Sequence, residues 1–205
     1  RLSIGYTLAA GFISGLFFAY LNCAQQIFHE IYHLGRQFPL YMAFLALSIG
    51  GGSFINSRIV IRFGMHRMSY LAILLFIVLM SIYLVIPLLM GGHSPLWLLI
   101  SFLALSFFCL GILFGNLNAI AMEPLGHIAG MGAAVIGSLT FLISFPLSVI
   151  IGRYYNGTTL PLALGFIILG GFTVIAMCWA DNISSGTPSM VNPVTWFLAV
   201  FKKKT

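Results

Sequence analysis

Six runs of mainly apolar residues divide this 205-residue chain, at roughly 4–28, 37–57, 68–90, 95–122, 129–152 and 159–180. All nine Lys and Arg, all three Asp and Glu and all five His lie between or beyond these runs. A helix that crosses a bilayer needs about 20 mainly apolar residues. A charge at the bilayer centre costs about 2.5–3.5 kcal/mol on insertion scales. The spans are therefore marked as much by missing charge as by abundant Leu, Ile and Phe. Strands of a membrane barrel would alternate over about 10 residues, and none of these runs alternates. Only 6% of the residues are charged, against about 25% in soluble domains, and the mean hydropathy is +1.09. A water-soluble globule and a disordered chain are both excluded. The expected fold is an all-α membrane protein of six transmembrane helices, a bundle over 1–181 followed by a cytoplasmic tail at 182–205.

Charge placement orients the bundle. Arg1, the group Arg58, Arg62 and Arg67, and the tail lysines Lys202, Lys203 and Lys204 fall on one side if the spans alternate, leaving Arg36 and Arg153 opposite. The positive-inside rule then puts both termini in the cytoplasm; the expected location is the plasma (inner) membrane. The net charge of +6 is scattered, so it makes no nucleic-acid footprint. Cys23, Cys109 and Cys178 sit inside apolar runs and read as small hydrophobes, not as metal ligands or a disulfide frame. The segment 194–201 is too short to span; with the lysines it rests on the anionic inner surface or frays. No cofactor is called for.

The spans are not equivalent. The first and fourth carry amides, Asn22, Gln25 and Gln26, then Asn116 and Asn118, and each holds a Gly-x-x-x-Gly, Gly11 to Gly15 and Gly111 to Gly115. The second and fifth are rich in small residues, and the third and sixth are apolar almost all round. This order occurs twice in opposite orientation, the pattern of two inverted three-helix repeats. Amides are costly in hydrocarbon unless paired. Asn22, the pair Gln25 and Gln26, and position 29 share one helix face. Such amides either glue helices together or line a wet cavity that holds a small-molecule substrate. Their recurrence in matching spans points to the cavity.

The stretch Gly52-Ser-Phe-Ile-Asn56-Ser-Arg58-Ile-Val-Ile-Arg62-Phe-Gly64-Met-His66-Arg67 resembles the loop motif of the major facilitator superfamily, with Asn56 where the best-known version has Asp. The stretch Asn116 to Ala134, centred on Glu123-Pro-Leu-Gly126-His127-Ile-Ala-Gly130-Met-Gly132, is similar to the junction of helices ten and eleven in the bicyclomycin-resistance-like drug-efflux branch. Tyr155-Asn156-Gly157-Thr158 ahead of Pro161 is similar too. The resemblance covers about residues 4–181. It implies that the chain is the carboxy-terminal half, helices seven to twelve, of a twelve-helix carrier whose amino-terminal six-helix half is missing. It also implies solute-for-proton exchange by rocking of the halves, with drug or xenobiotic efflux as the activity. A chain opening at Arg1 fits such a fragment. The two motif stretches suggest a gate. Glu123 lies on the side of Arg58, Arg62 and Arg67, and a Glu–Arg pair there could form in one state and break in the other, with Asn56 at its base and His127 able to tune it. No acid lies mid-span, so a proton-coupling carboxylate would belong to the absent half.

Two other readings stand beside this one. His29-Glu30-Ile-Tyr-His33 is a literal H-E-x-x-H, which on a helix can hold zinc for an intramembrane peptidase. It would need a third ligand, for which His93 is the lone candidate on the same side. The other is a truncated membrane protein that does not transport.

Overall fold

The computed structural model describes residues 2–89, 91 and 94–184, with side chains through Asp181. Arg1, His93 and the tail 185–205, on which several expectations fall, lie outside the described residues. Six long α-helices account for nearly all the rest: α1 (Leu2–Gln26), α2 (Phe38–Phe63), α3 (Met65–Leu89), α4 (Leu96–Met122), α5 (Ala129–Arg153) and α6 (Leu160–Ser184). No strand occurs among the described residues. A 3-10 segment, Glu123–Ile128, joins α4 to α5, so counted as unbroken helical stretches there are five long apolar ones. The chain is a multi-pass helical membrane protein.

The helices follow the apolar runs, with one informative difference. The motif expected as a loop after the second span is helical: α2 continues through Arg58 and Arg62 to Phe63. No helix breaker stands between Gly52 and Gly64, and the β-branched run Ile59-Val60-Ile61 is no obstacle once the helix is under way. Gly64 alone makes the turn into α3, at φ 80°, where a Cβ would be strained; its N–H closes on the Val60 carbonyl.

Helices α1 and α4 form the centre. The first packs on α4, α5 and α6, the second on α1, α2 and α3, and α3 also meets α6. The core between them is dense: Tyr6, Ile13, Leu16 and Tyr20 of α1, Phe107, Leu110 and Leu113 of α4, Phe76 of α3 and Phe166 of α6 are all buried. The Tyr20 and Phe107 rings meet edge to face at 4.7 Å. By contrast α2 and α5 bury few residues, chiefly Leu45, Gly52 and Asn56 on one and Gly132, Ile136, Ser144 and Ser148 on the other. Glycine sets the closest approaches. A Cβ at Gly52 would run into the Phe108 carbonyl oxygen, and one at Gly111 into that of Ile49, so α2 and α4 touch backbone to backbone. Gly11 and Gly15 likewise admit Ile143, Ser144 and Leu147 of α5 against α1. A Cβ at Gly115 would meet nothing within 4 Å among the described residues, so there the close approach is made by the first glycine of the α4 pair.

Candidate functional site

The amides separate into two groups. Asn56 and Asn116 face each other across the α2–α4 contact and bond reciprocally: Asn56 Nδ2 donates to Asn116 Oδ1 at 2.8 Å, and Asn116 Nδ2 donates to Asn56 Oδ1 at 3.0 Å. Both are buried, at 7% and 3% exposure. The pair sits one helical turn from Gly52, whose lack of a side chain lets the two backbones come close enough for amides this short to meet. One residue assigned to substrate and one assigned to gating thus form a single interhelical link. Asn56→Ala or Asn116→Ala is expected to lower stability by about 1–2 kcal/mol. In the double variant the losses should fall short of additive; fully additive losses in an unfolding mutant cycle would show that the pair is not coupled.

Asn22, Gln25, Gln26 and Asn118 are exposed. Asn22 Nδ2 donates to Ser148 Oγ on α5 at 3.3 Å, and Asn118 Nδ2 donates to the Phe114 carbonyl of its own helix at 2.8 Å. Each keeps hydrogen-bonding capacity. Phe18, one turn before Asn22, meets the exposed Phe141 ring, which stacks in turn on Phe145. The surface beside Asn22 therefore presents amide and aromatic groups.

At the end that carries the arginines, Arg58, Arg62, Arg67 and Glu123 are all exposed. Arg58 lies over the Phe54 ring, 5.3 Å from its centroid. Among the described residues no ion pair joins Glu123 to any of the three arginines; the one such pair is His66 with Asp181. His127 is exposed in the 3-10 segment after Glu123.

The same basic end holds a cluster that the sequence does not advertise. Tyr6 of α1 donates its hydroxyl to the Asp181 carboxylate of α6, at 3.0 and 3.1 Å from the two oxygens. Tyr70 of α3 donates to Asp181 Oδ2 at 2.9 Å. His66 Nδ1 lies 2.9 Å from the Tyr6 hydroxyl and 3.6 Å from Asp181 Oδ1. Three helices converge on one carboxylate. Read singly, each of these residues is an unremarkable helix-end polar group. The available signal was that two tyrosines, a histidine and an acid occupy span ends on the same side.

The opposite end has its own network. Tyr83 of α3 bonds Ser94 Oγ at 2.8 Å and donates to Thr159 Oγ1 at 2.9 Å, while Tyr32 donates to the Ser94 carbonyl at 2.6 Å. Here the H-E-x-x-H takes a form unsuited to zinc. Residues Ile27–Ile31 widen into a π-helical turn, and His33 lies past it with a left-handed backbone, φ 51°. The two imidazoles are thus not on successive turns of one α-helix, the geometry that motif needs. Glu30 accepts a hydrogen bond from the Tyr155 hydroxyl at 3.3 Å. No three His, Cys, Asp or Glu among the described residues are grouped to hold a metal.

Comparison with known proteins gives one relative of use. Over 162 residues, the chain is 31% identical to the "uncharacterized MFS-type transporter YdgK" of Bacillus subtilis (strain 168). The match takes in 78% of this chain but 39% of the relative, so the chain spans well under half of that protein's length. This similarity supports membership of the major facilitator superfamily. No family model matches the chain, and no solved structure does.

Proposed function

We propose that this chain is the carboxy-terminal six-helix half of a major facilitator carrier, and that the whole carrier moves a small solute across the plasma membrane. Exchange of α1–α3 for α4–α6 turns each principal helix contact into another of the same set: α1 with α5 becomes α4 with α2, and α1 with α6 becomes α4 with α3. Inverted repeats would pack in this way. The relative's greater length leaves room for the second half.

The observation that carries the transport reading is the exposure of uncharged amides on the two central helices. Asn22, Gln25, Gln26 and Asn118 occupy spans from which every charge is excluded. Left facing hydrocarbon, they would lose water while much of their hydrogen-bonding capacity stayed unmet, since the single bonds of Asn22 to Ser148 and of Asn118 to the Phe114 carbonyl use only part of it. A wet cavity between two halves removes that cost and gives a solute hydrogen-bonding partners. The bare faces of α2 and α5, with Leu47, Phe54, Leu142 and Phe145 exposed, suit contact with the other half and with lipid. The finer reading is efflux of drugs or other xenobiotics in exchange for protons, with both termini cytoplasmic. In that cycle Asn56 anchors α2 to α4 through Asn116, and Glu123 meets Arg58, Arg62 or Arg67 in the alternative state.

The test is transport by the full-length protein in proteoliposomes, with and without a proton gradient, against a panel of small solutes. Asn22→Ala or Asn118→Ala is expected to raise the KM of a transported compound about two- to tenfold, as loss of one neutral hydrogen bond would. If neither change alters the transport of any compound, the cavity assignment fails. If the unaltered carrier moves none of them, the transport reading fails.

A further inference from the structure

The cluster of Tyr6, His66, Tyr70 and Asp181 has no part in the transport reading above, and its hydrogen-bonding logic leads further. Tyr6 has one hydroxyl proton but three acceptors within reach: both Asp181 oxygens and His66 Nδ1. An ionised carboxylate accepts only, so the Tyr6 proton goes to Asp181. His66 Nδ1 must then carry its own proton and donate to the Tyr6 oxygen. This fixes the ring's tautomer and leaves Nε2 as the atom that gains or loses a proton. His66 is 36% exposed, so water reaches it, while Asp181 is 15% exposed. The imidazole also meets the Tyr6 ring edge on.

We propose that His66, Tyr6 and Asp181 form a proton-binding latch at the basic end of the bundle, in which a proton on His66 Nε2 ties α3 to α1 and α6. The incoming proton is delivered by hydronium: an N–H bond forms at the Nε2 lone pair as one O–H bond of hydronium breaks, and neutral water leaves. The imidazolium then faces the carboxylate at 3.6 Å directly and through the Tyr6 hydroxyl. The groups around it are consistent. Asp181 of α6 is the near charge; Tyr6 of α1 and Tyr70 of α3 are neutral donors to it; Cys178 of α6 lies 3.8 Å from the Tyr70 hydroxyl; Glu123, beyond α4, is a more distant negative charge. Asp181 also has a further interaction beyond these contacts. His66 sits ahead of the apolar run of α3, at the water border. The Asp181 carboxylate beside it raises it from the ordinary histidine value, against the opposing effect of partial burial.

The sign follows from linkage. A histidine raised in the folded state adds stability that is fully present below its unfolded value of about 6.5 and is lost as pH rises through the folded value. The experiment uses the full-length protein in detergent micelles, with His29, His33, His93 and His127 changed to Gln so that His66 is this segment's single histidine. Histidine-selective isotope labelling and NMR then read its titration, each remaining histidine elsewhere in the chain being assigned by its own substitution. The expected midpoint lies above about 6.5, and Asp181→Asn should bring it to that value or below, since burial then acts without the carboxylate. Tyr6→Phe, which keeps the direct pair, should lower it by less. A midpoint at or below the ordinary value, or one that Asp181→Asn leaves in place, overturns the proposal. If the multiply substituted protein does not fold, the unaltered protein is compared with His66→Asn. Its Tm should fall with rising pH more steeply than the variant's above about pH 6.5, and parallel curves overturn the latch. Neither readout depends on transport, so failure here leaves the carrier reading untouched.

Discussion

Gly52→Ala is expected to destabilise the protein by about 1–3 kcal/mol, the usual range for overpacking, and Gly111→Ala by a similar amount. The direction is the opposite of intrinsic preference, since Gly to Ala within a helix ordinarily gains about 1 kcal/mol. The reversal comes from the contact. A methyl group at Gly52 would meet the Phe108 carbonyl oxygen, and one at Gly111 that of Ile49. Backbone cannot swing aside as a side chain can, so the helices must separate. Separation would also lengthen the Asn56–Asn116 pair one turn away. The two losses should therefore not add, because the first substitution already opens the contact that the second would crowd. Gly171→Ala is the control, for a Cβ there meets nothing within 4 Å. Detergent-induced unfolding of the full-length variants measures all three. A Gly52→Ala protein as stable as the parent would mean that α2 and α4 are not in backbone contact.

The second large effect is expected from Asp181→Ala. Tyr6 and Tyr70 are buried, at 0% and 5% exposure, and both hydroxyls donate to this carboxylate. Removing it leaves two buried donors without this acceptor, at about 1–3 kcal/mol each, so a total of about 2–6 kcal/mol is expected. Asp181→Asn should cost less, because the amide oxygen still accepts from the phenols. The distinguishing measurement is a mutant cycle. In a Tyr6→Phe, Tyr70→Phe background no donor is orphaned, and Asp181→Ala should then cost only a fraction of its effect in the parent. An undiminished cost would place the value of Asp181 in other contacts.

Helix content and membrane character were legible because hydropathy and charge exclusion act residue by residue. The six runs at 4–28 through 159–180 became six helices, with ends shifted by a few residues. The larger shift was at α2, which carries Arg58 and Arg62 on its last turns. The loop expected there rested on a motif, whereas a helix ends where the chain breaks it, and only Gly64 does so. The contrast between α1 and α4 and their neighbours was also visible in the amides. Which amides remain open to a solute was not. Asn116 and Asn118 are two residues apart and so point to different sides of α4. One is consumed by Asn56 and the other stays exposed, and rotation of the helix about its axis decided which.

The sequence by itself determined which stretches of this chain are long, apolar and charge-free enough to cross a bilayer, because hydropathy and the placement of charge are read residue by residue. The tertiary structure decided which polar groups meet: Tyr6 with Asp181 across 175 residues, and Asn56 with Asn116 across 60. Those pairings depend on how the helices turn and cross, and glycines such as Gly52 and Gly111 set how closely they come together. A hydrogen bond needs both partners within about 3 Å, and composition carries no information about that distance.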